Sequence, residues 1–184
     1  GPKSKTGAAR LAARSAMRVG AGAVKIVCDA NVIDIIEPQI SVELIEIARN
    51  KQDFQNILKD KKITSALIGP GNGVTDETKA RALMALAFID YVVLDADALT
   101  VFSENPKELF IDCYPHTILT PHEGEFKKIF GNEINNIEER SLKTAEAAKI
   151  SNTIVVLKGA DTVIASPNGD VVVNKSSAAY LATA

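Results

Sequence analysis

Hydrophobic positions along this chain follow two rhythms that take turns. Between Gly7 and Arg18, the residues Ala8, Leu11, Ala12, Ala16 and Met17 recur at helical spacing with Arg10, Arg14 and Arg18 opposite them. That spacing predicts a helix, and its many alanines let it lie close to a neighbour. The turn Val19-Gly-Ala-Gly22 ends it, and Ala23–Cys28 reads as a strand. A short helix is predicted over Asn31–Ile36, after Asp29. Ser41–Asn50 fits either strand or helix, and Lys51–Lys61 is amphipathic with Phe54, Ile57 and Leu58 inward. Ile63–Ile68 reads as a buried strand, and Tyr91-Val-Val-Leu94 is a continuous apolar run, the kind of strand that a parallel sheet buries on both faces. Between them, Thr75 is the expected N-cap of a helix through Phe88, with Glu77 near its start.

Thr117–Thr120 is a strand that Pro121 stops, because proline cannot continue a ladder. Glu123-Gly-Glu-Phe126 opens a helix toward Gly131, with Glu123 and Glu125 suited to its positive end. Ile137, Leu142, Ala145, Ala148 and Ile150 predict a further helix, and Thr153–Leu157 a further buried strand. Thr162–Ala165 and Asp170–Val173, joined by Ser166-Pro-Asn-Gly169, predict a β-hairpin. The alternation implies one α/β domain. Its sheet is mostly parallel, flanked by helices on both faces and closed by the C-terminal hairpin.

The unusual residues fall where these strands end. Gly69-Pro-Gly-Asn-Gly73, Asp95 with Asp97, His122, and Lys158–Thr162 each follow directly on a predicted strand. Parallel strands would put all four groups on one rim, where open α/β sheets bind ligands. Each group alone has an ordinary reading. The glycine turn matches no phosphate-binding fingerprint, though its backbone amides can approach a phosphate or ring closely. Asp95 and Asp97 can serve a metal-bound water or a ribose hydroxyl, or one of them can cap the next helix. His122 is a binding or proton-transfer candidate, or a histidine in a polar loop. Lys158 can neutralise phosphate, or stand as a solvated lysine. Their joint occurrence carries the argument.

Composition narrows the classes. The 184 residues, 46% hydrophobic and 24% charged, suit a globular domain with a substantial core, and a net charge of -2 offers no footprint for nucleic acid or an anionic membrane. No apolar run approaches the ~20 residues of a membrane span. Cys28 and Cys113 both lie in or beside apolar segments, as reduced core thiols of a cytoplasmic protein do. Two histidines without clustered spacing argue against structural zinc.

The ordered motifs Gly69–Gly73, Leu94-Asp-Ala-Asp-Ala-Leu99, Leu119-Thr-Pro-His-Glu-Gly-Glu-Phe126 and Leu157-Lys-Gly-Ala-Asp-Thr162 resemble those of the ADP-dependent NAD(P)H-hydrate dehydratases, of the ribokinase-like superfamily. Thr6–Ala13, Val19–Gly22 and Ala179-Tyr-Leu-Ala-Thr-Ala184 resemble the family's first helix, its turn and its late segment, so the resemblance covers essentially the whole chain. It implies ADP- or ATP-dependent dehydration of hydrated NADH or NADPH, by phosphorylation of the hydrate hydroxyl and elimination of phosphate. Carried over by position, Ala8, Gly71, Gly73 and His122 surround the hydrated dinucleotide. Lys158, Gly159, Ala160, Asp161 and Thr162 hold the adenine nucleotide. Asp95 and Asp97 lie near the metal or phosphates, with Mg2+ expected on the nucleotide. The family also implies a homo-oligomer, free-standing or joined to a hydrate epimerase.

The sequence departs from the family in two places. Asn72 stands where the family usually has leucine. The Gly-Thr/Ser-Gly-Asp element that carries the anion hole and the expected catalytic aspartate is not among these residues, nor is a strand before the first helix. A fragment of a longer protein is the favoured expectation, against a naturally shortened, inactive member. Two other classes remain open at this stage: a kinase of a vitamin-precursor alcohol, and a non-catalytic nucleotide-binding module. A missing last helix would expose apolar surface and favour self-association.

Overall fold

The computed structural model describes residues 3–39 and 43–175. The resemblance over Ala179–Ala184 and the start of the Ser41–Asn50 stretch fall outside them. Helix α1 (Thr6–Arg18) leads to β1 (Lys25–Cys28), the one-turn α2 (Ile33–Ile36) and β2 (Leu44–Ile47), so strand is the outcome for the ambiguous stretch. Asn50 then caps α3 (Lys51–Leu58) by accepting from the Asp53 amide at 2.9 Å. β1 and β2 pair in parallel as a two-stranded sheet of their own.

The larger sheet has six strands. β3 (Ser65–Ile68), β4 (Tyr91–Leu94), β5 (Thr117–Leu119) and β6 (Ile154–Leu157) run parallel in that order, followed by the antiparallel β7 (Thr162–Ala165) and β8 (Val171–Asn174). Their crossovers carry α4 (Asp76–Phe88), the one-turn α5 (Asp97–Thr100), α6 (Pro106–Asp112), α7 (Glu123–Asn135) and α8 (Arg140–Ser151). Helix α4 packs on β3 and β4, α8 on β6 and β7, and α7 against α5 and α8. Thr75 caps α4 as expected, accepting from the Thr78 amide at 3.2 Å.

Val92, Leu94, Thr117, Leu119, Val155 and Leu157 alternate along the central strands and are wholly buried, while the residues between them are half-buried. The parallel ladder and closing hairpin match the expected architecture. Coverage of the second face is thinner than a continuous apolar run suggests: Leu67, on the end strand β3, is 45% exposed. Helix α8 keeps Ala145 and Ala148 of the expected stripe against the core but not its larger members. Leu142 and Ile150 face solvent, while Lys143, Thr144, Ala147, Ala148 and Ser151 are buried, because small residues let the helix sit close to the sheet. Helix α6 has no counterpart in the sequence reading. Both cysteines are free and buried, and burial pushes the Cys113 thiol up from 9.0 to about 12. Among the described residues no helix is long and apolar enough to cross a membrane.

Candidate functional site

The rim at the carboxyl ends of β3–β6 is stitched by backbone hydrogen bonds that run past the strands. The Asp95 amide donates to Ile68 O at 3.1 Å, the Thr120 amide to Leu94 O at 3.1 Å, and the Lys158 amide to Pro121 O at 2.9 Å. Pro121 lacks an N–H but keeps its carbonyl, so the chain can turn away from the ladder and still hold its neighbour. His122 and Lys158 consequently form a parallel bridge. Strand geometry alone thus brings the histidine beside the lysine loop.

The glycine turn is packed on both sides. At Gly69, with φ +129°, an added Cβ would fall 1.7 Å from the Asp95 carbonyl oxygen; at Gly71, with φ +75°, it would fall 2.5 Å from the Lys5 carbonyl oxygen. Only glycine fits either position. The second contact sets the start of α1, and with it Ala8, beside the turn. The Gly73 amide donates to Asp97 Oδ2 at 2.7 Å, and Thr78 Oγ1 donates to the Gly73 carbonyl at 2.7 Å.

Asp95 and Asp97 point to different neighbours. Between them Ala96 holds φ 49° and ψ −117°, close to a turn position that glycine normally fills. Asp95 Oδ1 lies 2.6 Å from Lys158 Nζ, whereas Asp97 reaches back to Gly73. Neither side chain caps α5. Helix capping, the ordinary reading of this pair, is therefore replaced by two ties across the rim. Lys158 is likewise an ion-paired side chain rather than a free surface lysine.

His122 is itself the N-cap of α7. Its Nδ1 accepts from the Gly124 amide at 2.9 Å and the Glu125 amide at 3.3 Å, while Glu125 Oε2 accepts from the His122 amide at 2.9 Å. With Nδ1 used as an acceptor, the proton of the neutral ring sits on Nε2, 3.4 Å from Glu125 Oε1. The imidazole is 60% exposed, so the same Nε2–H edge is open to a ligand. Glu125 is buried at this junction, with Oε2 4.0 Å from Lys158 Nζ. The sequence reading assigned it only a helix-dipole role.

Gly159, Ala160 and Asp161 form an exposed turn closed by Thr162, whose Oγ1 donates to the Gly159 carbonyl at 3.0 Å. Two residues outside the expected set support this turn: Glu123 and, from α8, Arg140. Arg140 lies 17 positions from Glu123 and 17 from Leu157, a separation for which local pattern gives no signal. Among the described residues no three histidine, cysteine, aspartate or glutamate side chains gather closely enough to hold a metal ion.

Comparison with known proteins extends this picture. A family model described as NAD(P)H-hydrate dehydratase matches residues 1–184. The ADP-dependent (S)-NAD(P)H-hydrate dehydratase of Bacillus subtilis is 32% identical over 183 residues, 99% of this chain and 64% of that protein. A structure of the ADP/ATP-dependent NAD(P)H-hydrate dehydratase from Bacillus subtilis, co-crystallized with ATP/Mg2+, superposes with a TM-score of 0.78 at 29% identity, covering 100% of this chain and 64% of that one. The bifunctional NAD(P)H-hydrate repair enzyme Nnr of Thermosynechococcus vestitus is 38% identical over 118 residues, 62% of this chain and 22% of that protein. A ribokinase-like superfamily protein from Enterococcus faecalis shares the fold, with a TM-score of 0.74 at 18% identity, over 88% of this chain and 56% of its own. The chain thus spans less than two thirds of the curated relatives it matches.

Proposed function

The chain belongs to the NAD(P)H-hydrate dehydratase family, and from that premise we propose that it supplies the binding rim for ADP- or ATP-dependent dehydration of hydrated NADH or NADPH. The observation that carries this reading is the His122–Lys158 bridge, with Lys158 Nζ ion-paired to Asp95 at 2.6 Å. It sets the side chain expected at the hydrate beside the backbone expected at the nucleotide.

In this reading Ala8, Gly71, Gly73 and His122 surround the hydrated dinucleotide. Gly71 and Gly73 leave room for backbone to approach it, and His122 Nε2–H donates to it in place of Glu125. Lys158 and the Gly159–Thr162 turn take the adenine nucleotide, where the ammonium offsets phosphate charge as Asp95 yields it. Phosphoryl transfer depends mainly on positioning and charge neutralisation, which suits a rim of backbone amides and one lysine. The hydrate hydroxyl gives up its proton and takes the terminal phosphoryl group of the nucleotide; phosphate then leaves with the oxygen while the adjacent ring carbon loses a proton, which restores the double bond of the reduced nicotinamide. The base belongs to the Gly-Thr/Ser-Gly-Asp element of the family, which is not among these 184 residues.

Magnesium fits this donor set in one manner. With no cage of three ligands among the described residues, the ion would rely chiefly on nucleotide phosphates and waters, and Asp95 and Asp97 are the carboxylates that would hold it. It would supply charge neutralisation on the phosphates. Homo-oligomer formation, and pairing with an epimerase in a bifunctional protein, belong to the same proposal and are checked by sedimentation and co-purification.

The test is calorimetric binding of ADP, ATP and hydrated NADH, followed by ADP-dependent recovery of NADH absorbance. Both are run with this chain and with the Gly-Thr-Gly-Asp segment appended. Binding by the chain and turnover by the extended form are expected. A chain that binds neither adenine nucleotide nor hydrated NADH would sink the reading, and binding without turnover in the extended form would favour a non-catalytic module.

A further inference from the structure

We infer that Arg140 is the positioning residue of the nucleotide turn, and that Gly159 is glycine because Arg140 occupies the space of its side chain; the inference rests on the assignment of Lys158–Thr162 to the adenine nucleotide. Three sets of contacts meet at the guanidinium. Its Nη2 donates to Leu157 O at 3.2 Å and Lys158 O at 3.4 Å, and its Nη1 donates to Glu123 Oε1 at the start of α7. Lys143, on the same helix, holds Glu123 from a second side, with Nζ 3.0 and 3.1 Å from its carboxylate oxygens. The planar fork thus grips one carboxylate and two carbonyls at once, a task for which lysine has too few directed donors.

Peptide geometry turns that grip into a function. The carbonyl and N–H of a trans peptide point in opposite directions. Fixing the Lys158 carbonyl on Arg140 therefore sends the Gly159 N–H into the turn, where Thr162 Oγ1 lies 3.4 Å away. The amide that would meet a nucleotide is aimed by a residue on the far side of the backbone. Gly159 supplies an independent observation. A Cβ there would lie 2.8 Å from Arg140 Nη2 and 3.3 Å from Cζ, and its φ does not lie in the left-handed range. Its lack of a side chain answers to the guanidinium, not to backbone strain. Arg140 Nε is buried with no hydrogen-bond partner among the described residues, so the grip is made by the two terminal nitrogens alone. Glu123 keeps Lys143 as a second partner, so the histidine cap just before it does not depend on the guanidinium.

The experiment measures calorimetric affinity for ATP and for hydrated NADPH in the wild-type chain, Arg140→Met, Gly159→Ala and the double variant. Arg140→Met should weaken ATP binding about tenfold or more while leaving the hydrate within about twofold. Added guanidinium at millimolar levels should restore part of the ATP affinity. Gly159→Ala should reproduce the same split by displacing the guanidinium, and the double variant should be no weaker than either single one. Unchanged ATP affinity in both single variants, equal losses for the two ligands, or additive losses in the double variant would overturn the inference and leave the family reading standing. A wild-type chain without ATP affinity would overturn both.

Discussion

The six-stranded sheet and the β1–β2 pair are built from similar strands of three or four residues, yet they are held by different means. Around the large sheet, Val92, Leu94, Leu119, Phe126, Val155 and Leu157 are wholly buried in one continuous core. The β1–β2 pair has a small cluster of its own, Ala13, Ile26, Cys28, Val32 and Ile36, and touches the large core through Val27. Charged ties join it to its neighbour: Arg81 Nη2, on α4, lies 2.8 Å from Asp29, and Lys25 Nζ lies 3.2 Å from Asp60. All the candidate chemistry except Ala8 sits on the large sheet and its loops. Apolar burial fixes geometry over a whole sheet, whereas ionic ties fix it only at points. Placing the rim on the first kind of scaffold is what a site of fixed amides requires.

The largest effect should come from the core of the large sheet. Phe126→Ala removes a wholly buried ring tilted against Phe130 at 4.7 Å and should cost about 3–5 kcal/mol in urea unfolding. Ile26→Ala, in the small cluster, should cost about 2 kcal/mol. Equal costs would erase the distinction between the two regions. Arg81→Met comes next, at about 1–3 kcal/mol, since the arginine is 10% exposed and pairs with both Asp29 and Glu77. Hydrogen exchange should then quicken in β1 and β2 while β4–β6 keep their protection; uniform quickening would show one cooperative unit.

The two cysteines sharpen the same contrast. Burial raises both thiols, with Asp112 adding to Cys113 and Asp29 to Cys28. Thiol labelling at pH 8, read by mass spectrometry, should reach Cys28 through opening of the small sheet and Cys113 only on global unfolding. The reverse order would break the comparison. The raised Cys113 value also favours the folded state fully below the ordinary 9.0, a contribution lost as pH climbs toward about 12. The smallest effect belongs to Asp60. The Lys62 amide first, and then Lys25, hold its carboxyl below 3.8. Their stabilisation is present above that value and fades as pH falls through the lowered one. The Lys25 share should weaken in roughly 1 M salt while the Lys62 amide bond persists, which Asp60→Asn unfolding curves can check.

How much of this was legible in the sequence depended on range. Tyr91–Leu94 and Thr153–Leu157 declared themselves because a buried parallel strand needs a continuous apolar run, and the glycine turn, Asp95, Asp97, His122 and Lys158 were located by where those runs stop. Helix α6 escaped because only Leu109 within it is buried, although Asn105-Pro106 marked its start. The α8 stripe is legible only in part for a related reason: its small members Ala145 and Ala148 pack inward, whereas the larger Leu142 and Ile150, which weigh most in a hydrophobic pattern, face solvent. The division into two sheets and the Arg140 grip on Glu123 and Leu157 are tertiary facts. Nothing within a helical turn or a strand repeat encodes them.

Ala96 carries a consequence for anyone reshaping this protein. Its φ of 49° is strained by about 1–3 kcal/mol for any side-chain-bearing residue, so selection for heat resistance alone would be drawn to Ala96→Gly. That exchange would also free the two neighbouring carboxylates to wander from Lys158 and Gly73. A more durable protein would emerge with a blunter rim, and a thermal screen would score it as an improvement.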